Sequence, residues 1–457
     1  MQSQKKSSET QKLNDTYTLL LSKKLGAGAF GQIYECQNVK TKQTYAAKIE
    51  YHTAPNPQLY KESKIMTEMK GKLGFPTCHQ VIYLKQELVM VTDLLGPNIQ
   101  DIMDNIEGKK FTMKSTLILT EQMLKRLRDL HEKGIIHRDI KPENFVIGKG
   151  KNEKLIYMID FGLSRHYLIE KTQQHIPMKS DRAIVGTLRY ISMNCHEGLE
   201  VSRRDDLESL AYMMIHFVIG ELPWMGIKAK SLGEKYKRVY EKKQETVPDE
   251  ICKILPDEMK NFLQHILNLE FEEKPNYDFL EGLIKSLKSK YGFKNDDNFE
   301  WLDPSIKGDL YIKISNNKNE KHNSSAMNNF ILEDNKEDDN NNLVIPKKFN
   351  SENNIQTSNS LNKNNDKGNN QGKNNQNNLN QNANINNNKN NDKNANNNNN
   401  DVNQGNNNDK NAKNNYKSFR TDLRRRKRNF NFIYIIFNFK KCFRIFNLFI
   451  LKLSHLE

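Results

Sequence analysis

An asparagine-rich stretch at residues 351–410 limits most strongly what this 457-residue chain can fold into. Thirty of its sixty positions are asparagine. Such a sequence cannot bury enough apolar surface to offset the entropy of an ordered chain, so we expect it to be disordered. The first 300 residues have an ordinary globular composition and are enough for one large or two moderate cores. The folded, functional part is therefore expected there.

Positive charge is unevenly spread along the chain. Residues 1–300 carry 46 Lys and Arg against 41 Asp and Glu, whereas residues 411–457 carry 12 against 2. This excess at one end gives no reason to expect nucleic-acid binding by the folded part. The five cysteines show no metal-binding spacing, and the N-terminus has no apolar run typical of a secretory signal. We expect free thiols and a cytoplasmic location, with the nucleus as a further option.

The hydrophobic pattern changes along the first 300 residues. Strand patterns cover 17–39, with a glycine-rich turn between two strands, and then 41–50, 81–84 and 87–92, while helical patterns cover 59–70, 99–133 and 205–289. A small strand-rich half followed by a larger helical half indicates a two-lobed α+β fold.

A glycine-rich loop is the first segment of the chain whose residues could bind phosphate. Gly26, Gly28 and Gly31 form a G-x-G-x-x-G spacing in which backbone amides can approach phosphate oxygens. The spacing alone also suits a simple hairpin, and a dinucleotide fold is excluded because a strand follows instead of a helix. Lys48 in the next strand and Glu62 in the next helix could together hold α- and β-phosphates, although each alone would suit a solvated surface.

The most specific segment is HRDIKPEN at residues 137–144, followed by DFG at 160–162. Asp139 can accept or orient a hydroxyl proton, Lys141 can neutralise a transferring phosphoryl group, and Asn144 can bind a metal. Asp160 would coordinate magnesium that bridges the phosphates. Chance or a purely structural need does not account for these two motifs at this spacing.

These segments resemble eukaryotic protein kinases, and further stretches are similar to the casein kinase 1 family. The further stretches are LLGPNIQDI (94–102), HIP (175–177), GTLRYISMN (186–194), SRRDDLESL (202–210) and LPWMG (222–226). Ser192-Met193-Asn194 stands where most kinases carry Ala-Pro-Glu and looks like the Ser-Ile-Asn of that family. The resemblance runs from about Tyr17 to Leu302. It implies a serine/threonine kinase with a strand-rich N-lobe and a helical C-lobe, which uses ATP and Mg²⁺.

The resemblance also implies an ATP pocket made of the glycine loop, the phosphate pair, the adenine walls and the hinge. Its members would be Leu25, Gly26, Ala27, Gly28, Ala29, Phe30, Gly31, Ile33, Ala46, Lys48, Glu62, Asp93, Leu95, Val146 and Ile159. Leu95 would offer backbone hydrogen bonds to adenine, and Thr92 would stand at the gatekeeper position. The apolar members would also suit a plain core. Asp206 resembles the helix aspartate that braces the catalytic loop, a role compatible with a carboxylate favoured at a helix N-terminus.

Two groups of basic residues match positions at which the resemblance implies binding of phosphate or acidic groups. The first would comprise Arg189, Lys235, Lys228 and the backbone of Gly226, and it implies substrates with acidic or phosphorylated sites. The second would comprise Arg138, Arg165 and Arg182, where many kinases hold a phosphorylated activation loop. Each residue alone is most often a solvated charge. Grouped by the fold they would form an anion site, because arginine forks match phosphate geometry.

Four regions are predicted from these patterns: a polar leader at 1–16, a kinase domain at 17–302, an asparagine-rich low-complexity disordered region at 303–420, and a basic and aromatic segment at 421–457. The low-complexity region suits a spacer better than a recruiting module. The run RRRKR at 424–428 beside aromatic residues fits a weak peripheral membrane anchor, and an inert tail or a gene-model error fits the same residues. Charges at Lys440, Lys441 and Arg444 argue against a transmembrane helix there.

Two classes of function stay open, an active kinase and a pseudokinase-like scaffold that binds partners through the fold and the tail. Loss of Lys48, Asp139, Asn144 or Asp160 would have favoured the scaffold, and all four are present. We expect protein substrates, no nucleic-acid partner and a monomer.

Overall fold

A six-stranded antiparallel sheet forms the N-terminal part of the chain in the computed structural model, which describes residues 10–28, 31–54, 57–294, 296 and 298–327. Its strands are β1 (Thr10–Lys12), β2 (Tyr17–Gly28), β3 (Gly31–Asn38), β4 (Thr44–Tyr51), β5 (Cys78–Tyr83) and β6 (Glu87–Thr92). The spatial order is β1-β2-β3-β4-β6-β5. The strands predicted from the hydrophobic pattern are therefore confirmed.

The glycine-rich turn joins β2 to β3, with Gly28 opposite Gly31. Gly31 has φ +130°, and a Cβ added there would lie 1.9 Å from the carbonyl oxygen of Ile49. No residue with a side chain fits such an approach, so glycine is required at this point of the loop. Strand β4 therefore runs close beside Gly31 at the end of the turn.

Strand β4 and helix α1 (Leu59–Glu68) position the first charged residues of the site. Lys48 lies opposite Ile33 on one neighbouring strand and Met90 on the other, in the centre of the sheet. Helix α1 begins where the carboxylate of Glu50 accepts a hydrogen bond from Gln58 N at 2.8 Å. An anion at this end is favoured because the first amides of a helix lack partners within it.

The second part of the described chain is mainly helical. Its helices are α2 (Ile99–Asn105), α3 (Met113–Glu132), α4 (Met193–His196), α5 (Arg203–Ile219), α6 (Leu232–Glu245), α7 (Pro248–Ile251), α8 (Asp257–Leu267) and α9 (Tyr277–Lys290). Helix α5 begins at a capping box of Ser202 and Asp205 and ends at Gly220, whose φ is +87°. It is buried along almost its whole length and packs against α3 and α8, so it forms the centre of this helical part.

Two small antiparallel ladders carry the loops between α3 and α4. Strand β7 (Ile135–Ile136) pairs with β10 (Arg165–His166), and β8 (Phe145–Ile147) pairs with β9 (Ile156–Met158). The HRD and DFG segments lie directly beside these strands. Residues far apart in the sequence are thereby brought to one edge of the helical part.

Helix α10 (Pro304–Met327) corrects the predicted boundary at Leu302. Within it Leu310 is 2% exposed and Ile314 is 6% exposed, and both belong to the main hydrophobic core. The helix packs against α2, and Lys307 forms an ion pair with Glu153. The expectation of a disordered region from residue 303 is thus wrong for this helix, because two apolar residues four positions apart supply a face that the core can bury.

The two-lobed α+β prediction is confirmed by the sheet and the helices that follow it. The predictions for most of the leader, for residues 328–420 and for 421–457 lie outside the described residues. Within the described ranges, no helix is both long and apolar enough to cross a membrane. Four cysteines, Cys36, Cys78, Cys195 and Cys252, are free thiols there.

Candidate active site

A triad of charged side chains lies where the sheet meets the DFG segment. Lys48 Nζ is 2.7 Å from Glu62 Oε2 and 3.1 Å from Asp160 Oδ1. Burial opposes the ammonium charge, but Asp160 and Glu62 together outweigh it and raise the pKa of Lys48 above its ordinary value. Burial raises the pKa of the Glu62 carboxyl, whereas Lys48 outweighs burial at Asp160 and lowers its pKa. The lysine predicted to hold phosphates is therefore fixed in its charged form.

The catalytic-loop residues also meet at hydrogen-bonding distance. Asp139 Oδ2 is 2.9 Å from Lys141 Nζ and accepts a hydrogen bond from Asn144 Nδ2 at 3.2 Å. Asn144 Nδ2 also donates to the backbone oxygen of Asp139 at 2.8 Å. The other carboxylate oxygen, Oδ1, accepts from Thr187 Oγ1 at 2.8 Å. A proton acceptor and a cation thus stand side by side, oriented by an amide and a hydroxyl.

Asp206 of α5 holds the backbone of this loop. Its carboxylate accepts hydrogen bonds from His137 N at 2.7 Å and from Arg138 N at 2.8 Å. Arg138 has φ +71°, a conformation that costs a residue with a side chain on the order of 1–3 kcal/mol and needs support from its surroundings. His131 contacts the same carboxylate at 3.0 Å. Asp206 therefore supports the catalytic loop, as the resemblance implies. It also lies in the first turn of α5, where a carboxylate is favoured.

Comparison with known protein families adds an independent finding. Residues 19–283 match the model of the protein kinase domain, which is more than half of the chain. The chain belongs to the protein kinase family. Members of this family transfer a phosphoryl group from ATP to proteins and use a divalent metal, typically Mg²⁺.

Two oxygen-bearing side chains of the kinase fit such a metal. Asn144 directs its Nδ2 to Asp139, which leaves its amide oxygen for another ligand. The carboxylate of Asp160 is partly exposed, at 24% of its side chain, and faces the cation of Lys48. Carboxylate and amide oxygens are the ligands that Mg²⁺ prefers. Asn144 and Asp160 would therefore hold the ion.

The predicted adenine-wall residues lie on strands β2, β3, β4 and β8 and directly after β9. Val146 is buried, whereas Leu25, Ile33, Ala46 and Ile159 each remain half-buried. This partial exposure leaves room for contact with a ligand, and the adenine-binding role of the five residues stays a prediction. Of the glycine loop, Gly26, Ala27, Gly28 and Gly31 are described, and Ala29 and Phe30 lie outside the described residues.

The hinge residues differ in what their groups contact. The carboxylate of Asp93 accepts a hydrogen bond from Thr77 N at 2.8 Å and lies 2.7 Å from His79 Nε2. The backbone of Leu95 takes part in none of the hydrogen bonds between described residues. Immediately after it, Gly96 N donates to Ile147 O at 2.8 Å and fixes the path of the chain. The hydrogen bonds from the Leu95 backbone to adenine stay a prediction.

The first predicted anion group is spread over two segments joined by Trp224. The indole Nε1 of Trp224 donates to Arg189 O at 2.8 Å, and Gly226 follows two residues later with φ +68°. Lys235 lies half-buried on α6, and Lys228 is exposed. The fold therefore brings the segments of Arg189 and Gly226 together, while the substrate-binding role of the group stays a prediction.

The second predicted anion group does assemble in one place. Glu200 binds two of its members, with Arg165 Nη1 and Arg182 Nε both at 2.8 Å from the carboxylate. Arg138 and Arg182 line a cavity of about 510 Å³, together with Lys61 from α1. Burial, followed by the charge of Arg165, lowers the pKa of Arg138 to about 10. Several cations are therefore held near one carboxylate.

Sequence reasoning missed four residues that contact these segments: Thr187 and Glu200, Lys61 in the cavity wall, and Lys243, whose Nζ donates to the carbonyls of Leu188 and Ile191. Thr187 stands inside the quoted GTLRYISMN segment, so its position was signalled although its contact with Asp139 was not. The other three carry no spacing signal, since each is a single charged residue in a chain with 127 Lys, Arg, Asp and Glu.

Proposed function

We propose that this kinase is a serine/threonine kinase of casein kinase 1 type, which transfers the γ-phosphoryl group of ATP to protein hydroxyls. The observation that carries the proposal is the contact set of Asp139 with Lys141, Asn144 and Thr187. Asp139 would orient the acceptor hydroxyl and take its proton, while Lys141 would neutralise charge on the phosphoryl group in transfer. Mg²⁺, when bound, supplies further charge neutralisation at the phosphates.

The ATP end of the site would work through Lys48 and the glycine loop. Lys48, held by Glu62, would place its ammonium on the phosphates, and Gly26, Gly28 and Gly31 would offer their backbone amides. The half-buried apolar residues would then enclose adenine, with Leu95 supplying backbone hydrogen bonds. The scaffold alternative gains no support, because a protein that only binds partners does not need these charged groups assembled at hydrogen-bonding distance.

The substrate would be a protein segment with an acidic or phosphorylated residue before its acceptor. Arg189 and Lys235, with Lys228 and the Gly226 backbone, would contact that anion, and a charge-assisted hydrogen bond of this kind is worth about 1.5–3 kcal/mol. The quoted segments around Ser192-Met193-Asn194 and LPWMG support this assignment, because they are the stretches similar to the casein kinase 1 family.

Phosphotransfer from labelled ATP to casein tests the proposed activity, with Asp139→Asn as the isosteric control. We expect incorporation into serine and threonine by the wild type and loss of it in the variant. Labelling on tyrosine alone, or equal labelling by both proteins, would contradict the proposal.

A pair of peptides with and without a phosphoserine three positions before the target serine tests the substrate preference. Combining Arg189→Ala and Lys235→Ala should reduce kcat/KM on the phosphorylated peptide by about 10–100-fold and affect the other peptide much less. Lys237→Ala is the matched control, since Lys237 lies on the same helix and its side chain is 75% exposed. Equal loss on both peptides would rule out an anion-reading role.

A further inference from the structure

Residues 187–192, which carry Arg189, are held by side chains from elsewhere in the fold. Lys243 Nζ donates to Leu188 O at 3.1 Å and to Ile191 O at 2.7 Å. The indole Nε1 of Trp224 donates to the carbonyl of Arg189, which lies between these two residues in the sequence. The amino group of Lys243 therefore holds the backbone on both sides of Arg189, and Trp224 holds Arg189 itself.

The surroundings of Lys243 are unusual for a lysine. It lies near the end of α6 and is only 4% exposed, with its Nζ 5.2 Å from the ring centroid of Tyr212 and 5.1 Å from that of Trp224. Among described residues, no carboxylate forms an ion pair with it, and the nearby Glu208 instead accepts from Met193 N and the Tyr212 hydroxyl. The amino group of Lys243 is thus held by two carbonyl oxygens and lies between two aromatic rings.

Burying a lysine without an ion pair costs free energy, because its amino group loses its contacts with water. An apolar residue of similar volume would pack between the two rings without removing an amino group from water. What the lysine adds is a pair of hydrogen bonds to two carbonyls three residues apart. These bonds fix the substrate-facing segment at two points, which an apolar side chain cannot do.

The same segment reaches the reaction centre. Thr187, the residue before Leu188, donates to Asp139, and its own carbonyl accepts from Tyr190 N at 2.9 Å and Ile191 N at 3.1 Å. Thr187 therefore has support that does not involve Lys243, whereas the carbonyls flanking Arg189 depend on Lys243. A change at Lys243 is expected to alter the direction of Arg189 more than the geometry of Asp139.

We propose that Lys243 is a positioning residue for substrate recognition, which fixes the backbone on both sides of Arg189 and so directs its guanidinium toward the substrate anion. This inference rests on the proposed role of Arg189. It predicts an effect on the affinity for acidic or phosphorylated substrates that exceeds the effect on turnover.

The experiment compares Lys243→Met with Lys242→Met in the full-length chain. Methionine keeps the length and packing of the side chain but cannot donate, and Lys242 is the adjacent lysine with a 40% exposed side chain. In Lys243→Met the KM for the phosphorylated peptide should rise about tenfold, while kcat and the KM for ATP stay within about twofold of wild type. Lys242→Met should leave all three constants near wild type.

Arg189→Ala separates failure of this inference from failure of the proposed function. If Arg189→Ala leaves the preference for the phosphorylated peptide unchanged, the proposed anion-reading role is wrong. If Arg189→Ala removes the preference but Lys243→Met does not weaken it, the positioning role is overturned. Adding Lys243→Met to Arg189→Ala should cause no further rise in KM for the phosphorylated peptide, since both changes act through one contact.

A second variant covers the case in which Lys243→Met does not fold. Lys243→Gln keeps a polar donor, but its shorter side chain does not reach both carbonyls. It should therefore raise the KM for the phosphorylated peptide and leave the KM for ATP unchanged. An unchanged preference in a folded Lys243→Gln protein would also overturn the inference.

Discussion

Helix α10 offers the sharpest test of the packing, because one of its faces is buried and the other is not. Leu310 is 2% exposed, whereas Ile312, on the same helix, is 60% exposed. Truncating a buried leucine to alanine costs about 2–5 kcal/mol, through lost burial and the cavity left behind. A surface truncation stays within about 0.5 kcal/mol. Leu310→Ala should therefore destabilise the kinase and Ile312→Ala should not.

Thermal unfolding of the full-length protein measures this difference. At about 2.1 cal/mol/K of unfolding entropy per residue, 2–5 kcal/mol in a folded part of roughly 300 residues corresponds to a fall of about 3–8 °C in Tm. A chain ending after Leu302 should lose at least as much, since it also lacks Ile314 and the ion pair of Lys307 with Glu153. A chain ending after residue 327 should melt like the wild type. Equal Tm values for Leu310→Ala and Ile312→Ala would refute the packing of α10 onto the core.

Three further predictions concern the reaction and its dependence on pH. Lys48→Met and Asp160→Ala should each abolish phosphotransfer with little change in Tm, because they remove a phosphate contact and a metal ligand respectively. Residual phosphotransfer by either variant would contradict the assignment of these residues. Thr92→Met should weaken a bulky ATP-site inhibitor without changing the KM for ATP, as measured by inhibitor titration, and unchanged inhibition would mean that Thr92 does not face the pocket. Burial lowers the pKa of Lys243 from 10.5 to about 7. The titratable groups around it are Glu208, Tyr212, Cys195 and His196. Above pH 7 the folded state therefore binds fewer protons than the unfolded chain. Between pH 7.5 and 9 the free energy of unfolding of the wild type, measured in urea, should rise by about 2 kcal/mol more than that of Lys243→Met. Parallel pH profiles of the two proteins would contradict this.

The residues that sequence reasoning located share a fixed order along the chain. Lys48 and Glu62 are 14 positions apart, and their predicted strand and helix were enough to place them together. Asp139, Lys141 and Asn144 lie within one short loop, so their contacts follow from local geometry. Motif spacing was therefore sufficient wherever the interacting groups lie in one segment or in adjacent elements.

The residues that it missed depend on contacts between distant segments. Lys243 acts on carbonyls 52 and 55 positions away, and nothing in the run of lysines on α6 distinguishes the buried member. Glu200 becomes important only because the fold brings Arg165 and Arg182 to it. Leu310 and Ile314 of α10 lie in a short stretch with several apolar residues, 306–314, which is followed directly by a lysine- and asparagine-rich sequence. Composition therefore predicted disorder where tertiary packing supports a helix.

Helix α5 connects the two functional segments of the helical part. Asp206 holds the backbone of the catalytic loop, and Glu208, two positions later, accepts from Met193 N at 2.9 Å, directly after residues 187–192. Both carboxylates are buried, so each takes its position from the same rigid helix. The spacing between Asp139 and the segment of Arg189 is thus set within the helical part alone. The N-terminal part supplies Lys48 from β4 and Glu62 from α1. A shift of these two elements should therefore change the proposed contact with ATP before it changes the contacts of Asp139.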